Sequence, residues 1–314
     1  MTDNNGMRSG SLQFWPRVRA KKVIPSVNWR PVSKKEAGLL GFVGYKAGMV
    51  SVWAKDDTAD SMTKGKKVAV PATVVECPSM RIYSIRFYKG GKVMKDVVVS
   101  NDKVLKKRVK VAKAVKTLGD EKDFDDVRVI MYSNVKETGL SKDVPDMLEV
   151  ALSGSKDDKM KFVRDKVGKD ISVVEVFGKG LVDVRAVTKG YGTQGPVKRF
   201  GISLKNHKSE KGVRRPGSLA PWHPCRVTFR TPMMGQTGYQ NRVAYNNMVL
   251  EVGKAGQKEV TPNGGFSHYG VVKNDYMILK GSIPGPRKRG IVITPAIRPT
   301  RRTVKKKLEV LELR

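Results

Sequence analysis

A mainly β protein, its strands closing into a small barrel with an α/β insertion, is the fold this sequence predicts. Three observations carry that reading. Short runs rich in Val, Ile, Tyr and Phe, bounded by Gly or Pro, recur along the chain. Two stretches with apolar residues at helical spacing fall together between such runs. A long Gly/Pro-rich stretch fits neither pattern, and a structureless segment of that length marks a part of the chain that folds against something else.

Taken in order, residues 1–36 form a basic arm with Trp15, Pro16, Pro25, Trp29 and Pro31 scattered along it and no periodic face to bury. Strands are expected at 39–45 and 49–53, joined by Lys46, Ala47 and Gly48. Two more follow at 68–77 and 81–88, turned by Pro78 and Ser79 and ended by Gly90 and Gly91. Further strands are expected at 127–132, 171–177, 181–187, 243–252, 269–279 and 291–293. Closure into a barrel would remove the edges that such strands otherwise expose. Residues 103–118 place Leu105, Val109, Ala112, Val115 and Leu118 at helical spacing ahead of Gly119. Residues 156–168 do the same with Met160, Val163 and Val167, behind a Ser155/Asp158 capping pair. The expected organisation is an arm (1–36), a discontinuous barrel (37–100 with 171–189 and 243–300), an α/β insertion (101–170), a central extension (190–242) and a tail (301–314).

Charge adds a second layer. The 314 residues hold 62 Lys+Arg against 29 Asp+Glu, a formal net charge of +33. Residues 1–35, 185–245 and 280–307 carry +7, +11 and +10, whereas 101–170 carry only +3. Positive charge gathered in the least packable segments implies a polyanion whose counterions are released on binding; nucleic acid is the simplest such partner and a membrane surface its rival. No run of 18 apolar residues and no aromatic-faced amphipathic helix occurs, which argues against a membrane partner. Cys77 and Cys225 lack metal-ligand or disulfide-framework spacing, and the first residues lack a secretory pattern; the cytoplasm is the expected compartment.

The stretch 190–242 holds the sharpest motifs. Gly190, Gly192 and Gly195 match the GxGxxG spacing of dinucleotide sites, but 196–201 supply no amphipathic helical run to close such a site. The alternative is a glycine-rich backbone close to RNA phosphates, with Lys189, Lys198 and Arg199 neutralising them and Tyr191 stacking. In 212–226, Arg214, Arg215 and Arg226 suit phosphate, while Pro216, Pro221 and Pro224 restrict the backbone around Trp222 and His223. Trp222 either stacks on a nucleotide or pins the loop to its own domain. His207, His223 and His268 lack paired metal-ligand spacing, and Glu210 alone cannot form a catalytic carboxylate pair. No Walker A or nucleophile-elbow sequence occurs, so no enzyme, cofactor or small-molecule substrate is expected. In the arm, Phe14, Trp15 and Trp29 pack either on RNA or in a local core, and Arg17, Arg19, Lys21 and Lys22 face phosphate. Arg242 lies at the end of the basic stretch, and Arg287, Lys288 and Arg289 form a basic rim on fixed turns.

These segments resemble, in order and across nearly the whole chain, the family of the third protein of the large ribosomal subunit in its archaeal and eukaryotic form. The matching pieces are GSLQFWPRVRA (10–20), GFVGYKAGM (41–49), TKGYGTQGPVKRFG (188–201), GSLAPWHPCRV (217–227), GQTGYQNR (235–242), GGFSHYG (264–270) and KGSIPGP (280–286). The resemblance implies a translation-protein-type β-barrel, a basic N-terminal arm and a long central extension into large-subunit rRNA. It also implies neighbouring ribosomal proteins as partners, early assembly work and a position bracing the peptidyl-transferase centre without chemistry. Trp222 falls at the family's extension tip. Two positions depart from the family pattern: Glu210 replaces a histidine that many eukaryotic members modify, and Tyr191 stands where histidine or lysine is frequent.

Overall fold

Branched and aromatic side chains suit a pleated, half-buried surface. They supply most of the fourteen strands in the computed structural model, which describes residues 14–34, 36–115, 119, 123–254 and 256–313. In chain order come β1 (Gly38–Leu39), β2 (Phe42–Asp56), β3 (Lys67–Glu76), β4 (Met80–Lys89), β5 (Lys92–Val98), β6 (Asp126–Ser133) and β7 (Met147–Ser153). Helices α1 (Lys156–Lys166) and α2 (Val173–Val176) precede β8 (Leu181–Val187), β9 (Gly190–Gln194) and helix α3 (Pro196–Phe200). The chain then continues through β10 (Gly235–Gly238), β11 (Asn241–Gly253), β12 (Tyr276–Lys280), β13 (Gly290–Pro295), helix α4 (Arg301–Lys305) and β14 (Leu308–Leu313). Two units result: one holds Val23–Ala186 with Arg242–Arg314, the other Val187–Asn241 with the described part of 1–22.

The larger unit contains two sheets. Seven strands run in the order β13-β8-β11-β12-β3-β2-β14, and β13 also pairs with β2, so six of them form a hydrogen-bonded ring. One long strand makes this possible. β2 pairs through Phe42–Tyr45 with β13 and through Val52–Asp56 with β14, while β3 runs along its other side. A bulge between Lys46 and Gly48 bends it. Gly48 is required there because a Cβ would lie 2.3 Å from the Phe266 ring. Phe42, Val43, Val74, Met277, Ile278, Val292 and Ile293 are fully buried, each such side chain contributing about 1.5–3 kcal/mol. The second sheet, β1-β7-β6-β4-β5, is also antiparallel.

Buried polar groups tie the connections down. Glu76, with no solvent exposure, accepts hydrogen bonds from the Tyr269 hydroxyl, from the backbone N–H of Lys273 (2.9 Å) and Asn274 (3.0 Å), and from Asn274 Nδ2 (3.1 Å). That carboxylate and burial push the Tyr269 hydroxyl well above its usual pKa. Asp183 accepts from the backbone N–H of Asn246 (2.9 Å) and Ile297 (3.0 Å).

Several expectations are corrected. The two strands at 39–45 and 49–53 are one bulged strand, because Lys46 and Gly48 stay within the pairing. Strands β4 and β5, placed by sequence with the barrel, hydrogen-bond to each other and, through β4, to β6, so the second sheet draws on Gly38–Leu39 and on residues 80–98 as well as on the stretch after 101. In 103–118 only Lys103–Lys107 form a helix, a short 3-10 turn with Leu105 buried; 116–118 lie outside the described residues. The strand expected at 171–177 is a helical turn, capped by the Ser172 hydroxyl accepting from Val174 N–H at 3.2 Å. The strand expected at 269–279 is confined to Tyr276–Lys280. The tail at 301–314 is part of the fold, since β14 pairs with β2. Trp29, read as an arm aromatic, is 5% exposed in the core, and Arg185, counted in the basic stretch, is buried with its Nη1 donating to Thr294 Oγ1. The capped helix at 156–168 forms over Lys156–Lys166, with the Ser155/Asp158 capping box in place.

Candidate nucleic-acid interface

The chain leaves β8 and returns at β11 with a segment almost devoid of core. Across 188–248 Phe200 is the single buried residue, at 2% exposure. This stretch holds eleven Lys/Arg and the one acid Glu210. Intrasegment ion pairs therefore cannot neutralise it.

Its base is an antiparallel ribbon in which Gly235–Thr237 of β10 pair with Gln194–Gly192 of β9, and a bulge follows before Gly238. Gly238, at φ +67°, brings its backbone against Lys189, where a Cβ would lie 2.0 Å from the Lys189 carbonyl. A helix does follow Gly195, contrary to the sequence reading. It is the single turn α3, with Pro196 at its start and Gly201 closing it in the left-handed conformation. Phe200 on this turn stacks with Trp15 of the arm, ring centroids 5.9 Å apart, and Trp15 meets Phe229 edge-on at 5.7 Å. The Arg17 guanidinium lies 4.3 Å from the Phe200 ring centroid and donates to the Arg199 carbonyl at 3.0 Å. Ala20 N–H donates to the Tyr239 carbonyl at 2.8 Å. Together the arm and the ribbon make a small aromatic and cationic cluster.

The candidate residues divide by what they touch. Trp15 and Arg17 are half-buried in that cluster, the local-packing alternative for the arm aromatic. Arg199 faces inward, donating to the carbonyls of Met233 (2.9 Å) and Gln236 (3.2 Å), and desolvation lowers its pKa; Arg242 is also lowered by burial. Arg19, Lys21, Lys22, Lys189, Tyr191 and Lys198 are exposed, with the Lys189 and Lys198 ammonium groups 5.9 and 5.8 Å from the Tyr191 ring centroid. His207, Arg214, Arg215, His223 and Arg226 are exposed as well. Trp222 is 85% exposed and so pins nothing within its unit. In the larger unit, Arg287 and Lys288 are exposed and Arg289 is half-buried. There the buried Lys46 holds the rim, its ammonium donating to the carbonyls of Ile283 (2.7 Å) and Gly285 (3.1 Å). Burial, and then the charge of Arg287, lower the Lys46 pKa.

Sequence reasoning missed Phe200 and Phe229, whose flanking cations hid their role as the aromatic seat for Trp15, and it passed over exposed Lys205, Lys208, Lys211 and Arg230. Among the described residues no group of His, Cys, Asp and Glu could hold a metal ion, and no helix is long and apolar enough to cross a membrane.

The family model for Ribosomal protein L3 matches residues 1–110 and 97–314. The chain belongs to the ribosomal protein L3 family. Similar relatives within it include the large ribosomal subunit protein uL3 of Methanothrix thermoacetophila, 40% identical over 309 residues, which span 93% of this chain and 91% of the relative. The uL3 of Archaeoglobus fulgidus is 41% identical over 307 residues (93% and 92%), and that of Methanocaldococcus jannaschii 39% identical over 317 residues (96% and 94%). These relatives are archaeal, within the archaeal and eukaryotic form that the ordered motifs resemble.

Proposed function

We propose that the chain is a structural, non-enzymatic component of the large ribosomal subunit that binds large-subunit rRNA, promotes early subunit assembly and braces the region near the peptidyl-transferase centre. The observation that carries this is the stretch 188–248, with one buried side chain, eleven cations and one acid. A segment that cannot bury itself or neutralise itself gains both from a polyanion that surrounds it. The closed strand ring serves as the translation-protein-type barrel from which this extension departs, and 190–242 is the rRNA-penetrating element with Trp222 at its tip. Arg19, Lys21, Lys22, Lys189, Lys198, His207, Arg214, Arg215, His223 and Arg226 meet phosphate or sugar, and Tyr191 and Trp222 stack. Trp15, Arg17 and Arg199 hold the extension's base in shape, Arg242 adds a further cation toward rRNA, and Arg287, Lys288 and Arg289 add a second basic rim. Neighbouring ribosomal proteins complete its surroundings in the cytoplasmic ribosome.

The test is the salt dependence of rRNA binding. Replacing Arg214 and Arg215 together by Gln lowers the slope of log K against log salt by about 1.4–1.8, the value for two lost phosphate contacts. An unchanged slope shows that neither arginine meets phosphate. Loss of the native protein from large subunits at moderate salt removes the reading of an integral component.

A further inference from the structure

Within the extension, residues 202–232 fold back on themselves. Lys205 N–H donates to the Val213 carbonyl and Thr231 Oγ1 to the Leu219 carbonyl, each at 3.0 Å. The fold-back leaves a cavity of about 590 Å³ walled by Ile202, Leu219, Pro221 and Pro232 and edged by Lys205, Arg215 and Arg230. No acid lines it. Its size is that of a site for a small organic group rather than an inorganic ion. The wall is apolar, and its prolines restrict the backbone around it. Its charged lining residues are all cationic. A ligand that matches both parts has a flat, weakly polar body joined to an anion.

We infer that this cavity takes one unstacked nucleotide of an RNA strand, its base against the leucine and proline wall and its phosphates against Arg215, Arg230 and Lys205. The inference rests on the rRNA-binding reading and adds to it a base-accepting pocket distinct from exposed Trp222. Packing a base against apolar side chains removes its weakly polar face from water, and each 1.4 kcal/mol so gained is about tenfold in affinity. Phosphate contacts alone are indifferent to whether a base is present.

The experiment compares binding of the full-length protein to a single-stranded eight-nucleotide oligoadenylate and to an abasic strand of the same length. The native chain binds the oligoadenylate about tenfold more tightly. Gly217 lines the cavity, and a Cβ there meets nothing within 4 Å, so Gly217→Leu fits the backbone and occupies the space. In a chain that also carries Tyr191→Ala and Trp222→Ala, so that neither exposed ring stacks on a base, that variant loses most of the remaining base preference while keeping its affinity for the abasic strand. Leu219→Ser, which removes part of the wall, shifts the preference the same way. Arg215→Gln with Arg230→Gln weakens both strands alike. A native chain indifferent to the bases, or a preference that Gly217→Leu and Leu219→Ser both retain, overturns the pocket and leaves rRNA binding standing. Failure to bind either strand overturns the two together.

Discussion

Arg86 and Arg128 share Glu149 at 2.9 and 3.0 Å, and Arg81 is bonded to Asp170 at 2.5 Å, all on the second sheet of the larger unit. Arg214, Arg215 and Arg226 of the smaller unit stand exposed on a segment with a single acid. Both regions are rich in arginine, yet only the first carries its own counterions. The first also has a core beneath it, with Val127, Val129, Met131 and Val150 buried. In 188–248 of the second, Phe200 alone is buried. The comparison teaches that the two regions reach a defined shape by different routes: one by burial and internal pairing, the other by an external polyanion.

Two tryptophans give the widest separation between the regions. Trp29→Ala empties a core site next to Gly41, where a Cβ would lie 2.5 Å from the Trp29 ring, and lowers unfolding free energy by about 3–5 kcal/mol in a urea titration. Trp222→Ala, on a ring 85% exposed, changes that free energy by less than about 0.5 kcal/mol. It instead reduces incorporation of the protein into large subunits. Equal destabilisation by both replacements would erase the distinction.

A smaller effect comes from the paired charges. Glu149→Gln leaves Arg86 and Arg128 each short of a partner on a partly exposed surface and costs about 1 kcal/mol. The loss shrinks in high salt, and a salt-independent cost would point to packing instead. The smallest effect concerns a like-charge contact in the larger unit. Burial, and then Lys306 beside it, lower the Lys280 pKa to about 8 from the ordinary lysine value of 10.5. Between those two values the unfolded chain holds a proton that the folded chain lacks, so this group makes stability rise with pH across that window. Lys280→Met removes the rise and is more stable at pH 7. Urea midpoints at pH 7 and 10 check it, and a rise that persists in the variant would place its origin elsewhere.

How much of this was legible depended on whether a local pattern had a local cause. The extension was legible because its cause is composition: glycine, proline and unbalanced cations exclude a core wherever the segment lies. The capped helix was legible because Ser155 and Asp158 satisfy backbone groups within four residues. The helix expected over 103–118 was not, since its apolar spacing has little to face; Leu105 is buried but Val109 is half-exposed among charged neighbours. Residues 171–177 read as a strand from their branched side chains, and the Ser172 cap decided otherwise. The bulge in β2 reads as a turn because Gly48 is explained only by Phe266, more than two hundred residues away. Trp29 could not be told from Trp15 by sequence, as neither sits in a periodic face. In the site, the exposed cations and Trp222 were legible from charge and proline placement. The inward turn of Arg199 was not, because the carbonyls that hold it come from across the ribbon.

The most direct test of the two routes is amide hydrogen exchange of the protein free and within large subunits. The account predicts that in the free protein β2, β3 and β12 exchange slowly while amides in 201–234 exchange fast, and that 201–234 become protected by at least about a hundredfold once the subunit is assembled. Protection of 201–234 in the free protein equal to that of the core strands, or none in the subunit, would contradict it.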